Sequence, residues 1–96
     1  MAVYVDPLIP AVKSRVWRWS HSAHLFADTL EELHAAAARI GLKKAFFQDR
    51  EYFPHYDLTA NKRARAIGLG VIPLSSELAI AKWRDFFVMI KNRSIK

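Results

Sequence analysis

His21-Ser22-Ala23-His24-Leu25-Phe26-Ala27-Asp28-Thr29-Leu30-Glu31-Glu32-Leu33-His34-Ala35-Ala36-Ala37-Ala38-Arg39-Ile40-Gly41 decides the fold, because one periodicity gives way to another inside it. His21 to Ala27 alternates as a strand does, with His24, Phe26 and Asp28 on one side and Leu25 and Ala27 on the other. Thr29 with Glu32 then forms a capping box, and Leu30, Leu33, Ala37 and Ile40 recur at helical spacing until Gly41 stops the run. His34 lies one turn after Leu30 and borders that apolar stripe, which predicts a partly buried ring. A strand feeding directly into a capped helix is the grammar of an α/β domain.

Working outward, Ala2-Val3-Tyr4-Val5 reads as a first strand closed by Asp6-Pro7, which puts the Asp6 carboxylate at a strand terminus. Residues 7–20 mix prolines with Lys13, Arg15, Trp17, Arg18 and Trp19 and read as a flap over a site. Lys44 to Gln48 reads as a strand, Asp49 to Pro54 as a loop, and His55-Tyr56-Asp57 as extended chain. Period two sets His55 and Asp57 on one face and turns Tyr56 to the core. Thr59 is the expected cap of a helix over Ala60 to Ile67 that carries Lys62, Arg63 and Arg65 and stops at Gly68 or Gly70. Val71-Ile72-Pro73-Leu74 reads as an edge strand, since proline cannot donate to a ladder.

Ser75 or Ser76 caps a last helix to about Asn92. Its apolar residues Leu78, Ala79, Ile80, Trp83, Phe86, Phe87 and Ile90 cover more than one narrow stripe, so residues 75–96 form an aromatic helix that is a candidate homodimer interface. The sum is one α/β domain spanning 1–96, with about four short strands and three helices; strand order stays open.

Composition narrows the function classes. Ninety-six residues, 52% hydrophobic, suffice for one packed core. The absence of cysteine removes disulfides, thiolate metal sites and thiol nucleophiles, and fits a reducing compartment. The N-terminus lacks the succession of a secretory signal, and the apolar run Phe86 to Ile90 is far short of the roughly 20 residues that span a bilayer. A cytoplasmic protein without a membrane partner is expected. The net charge of +6 favours polyanions, nucleotides or an acidic protein surface.

All four histidines fall between Ser20 and Asp57. His24, His34, His55 and Asp57 are the candidate catalytic residues and equally the candidate ligands of a divalent metal, because neutral imidazoles plus a carboxylate suit zinc, iron or manganese. His55-Tyr56-Asp57 has the spacing that begins a two-histidine, one-carboxylate triad, but no histidine follows Asp57 to complete it in the usual order. Asp6, Gln48, Lys62 and Arg63 are candidate ligand-binding residues, with the two cations as an anion clamp at the helix start. The leading expectation is a site for a phosphate-containing ligand or nucleotide, with hydrolysis by a histidine base or a metal left open. The bland reading has each histidine bonding a nearby carboxylate or carbonyl, and Asp28 capping the helix it precedes.

The competing expectation is a non-enzymatic binding module. Arg15, Trp17, Arg18 and Trp19 interleave cations with aromatics, Arg65 adds charge, and that mixture suits nucleic acid. The same aromatics would serve as anchors for a protein partner.

Tyr4-Val5-Asp6-Pro7, the run His24 to His34, Arg39-Ile40-Gly41-Leu42-Lys43, Phe47-Gln48 and Pro54-His55-Tyr56-Asp57-Leu58-Thr59 together resemble the small bacterial and phage family of unknown function DUF4031. The likeness runs from about Val3 to Leu74. It implies that these blocks form one module and leaves a phage or prophage origin open, in which case a host protein would be a candidate partner; it implies no activity. Ala36 and Phe46 depart from the pattern, where an aromatic and a tryptophan are usual, and both read as core changes.

Overall fold

The computed structural model describes the backbone of residues 2–15, 17–50 and 53–94, and side chains as far as Phe86 together with Val88. Glu51 and Tyr52 of the expected loop, and the side chains of Phe87 and Ile90, lie outside the described residues.

Strands β1 (Val3–Val5), β2 (Ile9–Pro10), β3 (His21–Ala27), β4 (Phe47–Gln48), β5 (His55–Leu58) and β6 (Ile72–Pro73) are joined by helices α1 (Leu30–Ile40), α2 (Ala60–Gly68) and α3 (Ser76–Ser94). The mixed sheet runs β4-β5-β3-β1-β6, and β2 pairs with the start of β3. Among the described residues only β1 and β6 pair in parallel, with Tyr4 opposite Ile72. The α/β class and the three helices are as expected. Six strands stand among the described residues where about four were expected, and one of those added is β2, from the segment read as a flap. Lys44–Phe46, expected to open a strand, is instead a single turn of 3-10 helix, so β4 is only Phe47–Gln48.

Both faces of the sheet are covered, as strict alternation requires. Val5, Leu25 and Tyr56 stand in register and pack with Leu33, Ala37, Ile40, Leu58 and Ala66 against α1 and α2. Tyr4 and Phe26 point the other way and pack on Ala79 and Trp83 of α3. The first helix starts where the sequence places it: Thr29 is extended and its Oγ1 accepts the Glu32 N–H at 3.2 Å. Gly41 ends it at φ 93°, a conformation that costs a residue with a Cβ about 1–2 kcal/mol. Thr59 caps α2 in the same manner, its Oγ1 accepting the Lys62 N–H at 3.2 Å.

Asp28 does not cap α1. Its Oδ2 accepts the Ala2 N–H at 2.9 Å, and both oxygens lie 3.1 Å from the Tyr4 hydroxyl, so it ties the start of β1 to the end of β3. Thr29, one residue nearer the helix, takes the cap. No helix among the described residues is long and apolar enough to cross a membrane.

Candidate functional site

The site forms where β1 and β2 part. Both pair with β3 on the same side, β1 opposite Leu25 to Ala27 and β2 opposite His21 and Ser22. The break falls at His24, whose backbone N–H would lose its ladder partner there. Asp6 supplies the missing acceptor: its Oδ1 takes the His24 N–H at 2.6 Å, while its Oδ2 lies 2.6 Å from the same residue's Nδ1. Asp6 is itself buried, so its carboxylate stays acceptable in the interior only because these donors meet it. Arg63 of α2 completes the arrangement by donating from Nε to the Asp6 carbonyl at 2.8 Å.

Across the ladder His24 stands opposite Asp57, and period two on β5 brings His55 to the same face. Asp57 Oδ1 lies 3.4 Å from His55 Nε2 and 3.9 Å from His24 Nε2. His55 Nδ1 is 2.8 Å from the Phe53 carbonyl, which fixes it as the N–H donor and leaves Nε2 to face Asp57. Each imidazole is thus held through Nδ1 by an oxygen acceptor, and each presents Nε2 to one carboxylate. The rings pack edge to face at 4.9 Å, with Phe53 stacked on His55 at 4.4 Å and Trp83 against His24 at 6.0 Å. Aromatic walls close one side. Asp57, whose side chain is 35% exposed, marks the open side.

The electrostatics follow from this packing. Burial pulls the His24 imidazolium down, but the hydrogen bond to Asp6 and the charges of Asp6 and Asp57 outweigh it, so its pKa stands above the ordinary 6.5. The hydrogen bond with His55 holds the Asp57 carboxyl below its usual 3.8 against the opposing effect of burial, helped by the charges of His55, His24 and Arg50.

His24, His55 and Asp57 each offer one ligand atom within 4.8 Å of the others. Bonds of about 2.0–2.2 Å to one ion would place ligand atoms about 3.0–3.5 Å apart, so the His55–Asp57 edge at 3.4 Å is already that size and the His24–Asp57 edge at 3.9 Å would have to shorten. The histidine that the order of residues in β5 lacked comes from β3 by strand pairing. His34 is not part of this group. It lies on the α1 face, its Nδ1 2.9 Å from the Tyr56 hydroxyl and its ring against Phe47 at 4.6 Å.

Beyond Asp57 a groove of about 1010 Å³ opens between the β2–β3 hairpin and the start of α2. Gln48 and Lys62 line it with Trp17 and Trp19 from the segment read as a flap. Lys62 Nζ lies 3.4 Å from the Ile40 carbonyl at the end of α1. Lys62 and Arg63 therefore each spend one donor on backbone carbonyls. Arg15, Arg18 and Arg65 are exposed.

Fold and site define a small α/β domain built around a histidine–carboxylate cluster. The chain belongs to the family described as Protein of unknown function (DUF4031), whose model matches residues 3–85 and so takes in every member of the cluster. No curated protein and no solved structure matched it.

Proposed function

We propose that the cluster is a mononuclear metal centre for phosphate-ester hydrolysis, with His24 Nε2, His55 Nε2 and Asp57 as its three protein ligands. One observation carries this reading: both imidazoles are oriented through Nδ1 by Asp6 and the Phe53 carbonyl, the supporting shell that metal-binding histidines require. Three protein ligands leave a coordination position for water, as in catalytic rather than structural sites, and Asp57 joins the centre to the groove that it lines. Without a metal the same groups form an Asp6–His24–Asp57 charge network, and an ion would take the place of the proton on His24 Nε2.

A divalent ion here would lower the pKa of a bound water steeply, toward about 7, and supply a hydroxide nucleophile near neutral pH. The hydrolysis this would allow forms a bond from the hydroxide oxygen to phosphorus and breaks the bond from phosphorus to the leaving oxygen, which would take its proton from solvent water and depart as an alcohol. Asp6 holds the His24 ring throughout, and Arg63 holds Asp6.

The test is metal analysis of protein prepared without a histidine tag, followed by zinc and manganese titration calorimetry and an assay on an activated phosphodiester. One ion per chain, lost in His55→Ala with the fold retained, supports the reading. Failure of every divalent ion to bind or to raise the melting temperature overturns it.

A further inference from the structure

The groove beyond Asp57 has a composition that a small metal-dependent phosphatase would not need. Trp17 and Trp19 lie edge to face at 5.0 Å, and Trp17 is pinned by its Nε1 donating to the His21 carbonyl at 3.2 Å. Trp19 is half exposed, and Phe46, expected as a core residue, lines the groove and is 59% exposed. The two chain segments that contribute the groove's aromatic walls are basic in sequence: residues 11–20 carry Lys13, Arg15 and Arg18, residues 41–47 carry Lys43 and Lys44, and neither segment contains a carboxylate; the groove wall itself holds Lys62 and Asp57. All five cations of the two segments are exposed. Gln48 and Asn61 add paired donors and acceptors to the walls.

We infer that this groove takes a segment of single-stranded nucleic acid, stacking bases on Trp19 and Phe46 and laying its phosphates along the basic segments beside it. Flat aromatic faces accept any base, fixed cations accept the backbone, and carboxamides bond to base edges; the combination is that of a single-strand platform. An acidic peptide would satisfy the cations but leave the exposed rings and carboxamides without a role. The inference rests on the metal reading only for the fate of the strand, because the groove's own residues make the binding contacts.

The experiment is fluorescence anisotropy of the full chain with a labelled twelve-residue oligodeoxythymidylate, first in EDTA and then with zinc. Expected in EDTA is binding that weakens steeply with salt, falls about tenfold or more in Trp19→Ala, and falls further in Arg18→Ala with Lys44→Ala, two exposed changes that spare the core. His55→Ala should bind as well as the unchanged chain in EDTA, so loss of the metal site and loss of the groove give different results. Arg39→Ala, on the exposed side of α1, is the control for bulk charge. No binding in EDTA, an equal loss in Arg39→Ala, an undiminished affinity in Trp19→Ala, equal binding of polyglutamate, or equal affinity for thymidine monophosphate would each overturn the inference.

Discussion

Asp6 holds His24 at two points, one oxygen on the backbone N–H and the other on Nδ1, both at 2.6 Å. The first contact repairs the ladder where β1 and β2 part; the second sets the ring. Asp6→Asn keeps the shape but removes the charge, and its carboxamide can accept from only one of the two. The expected result is a loss of about 10- to 100-fold in zinc affinity with the fold retained, as when other supporting ligands are removed. Calorimetric zinc titration checks it; unchanged affinity would show that Asp6 serves the backbone alone.

The charges around His24 also predict how the metal-free chain responds to pH. A raised His24 pKa favours the folded state below the unfolded value of 6.5, and that contribution is lost as pH rises through the folded pKa. A lowered Asp57 pKa favours the folded state above 3.8 and is lost as pH falls through its folded value. The metal-free chain should therefore be most stable in mildly acidic buffer and weaken toward alkaline pH. Melting temperatures in EDTA from about pH 3 to about pH 9 test this. The stabilisation by added zinc should grow over the interval in which His24 loses its proton, since proton and ion share Nε2.

Local signals made part of this structure legible and left another part dark. The bounds of α1 follow from Thr29 and Gly41, and the shared face of His55 and Asp57 follows from strand period alone. His34 looked like a member of the group because it is near the others in sequence. It sits instead across the sheet, since the apolar stripe of α1 that it borders packs on Tyr56 and not on His24. The partnership of His24 with Asp57 depends on strand register, and the role of Asp6 depends on a break between two strands. Neither leaves a periodic mark; the proline after Asp6 was the only local sign of a break. The segment 7–20 read as a flap from its prolines, cations and tryptophans, but β2 within it is held by pairing to β3 rather than by its own pattern.

His34 stands apart from the cluster on the other face of the sheet. His34→Ala leaves the Tyr56 hydroxyl, in a residue only 1% exposed, without the ring nitrogen that meets it. An orphaned buried polar group costs about 1–3 kcal/mol, and the lost packing on Phe47 adds to it. Urea unfolding should show that loss while zinc stoichiometry stays at the unchanged value, the reverse of His55→Ala. A folded His34→Ala chain that no longer binds zinc would mean that the wrong face had been assigned to the metal.

Two glycines should answer the same substitution with opposite signs. Gly41 turns α1 back at φ 93°, giving its N–H to the carbonyls of Ala37 and Ala38. Gly68 lies in the last turn of α2, and a Cβ added there would meet nothing within 4 Å. Gly68→Ala should stabilise the chain by about 0.5–1 kcal/mol, because alanine has less freedom to lose on folding. Gly41→Ala should cost about 1–2 kcal/mol through its left-handed backbone, while its Cβ would stand 3.4 Å from Lys62 Nζ, the movable end of a long side chain. Gly41 also lines the groove, so its substitution should loosen the junction of α1 and α2 and weaken oligonucleotide binding, whereas Gly68→Ala should leave binding unchanged. Urea unfolding of both variants, with anisotropy on the folded material, checks the pair. Equal effects of the two substitutions would mean that Gly41 does not hold the turn on which the groove wall depends.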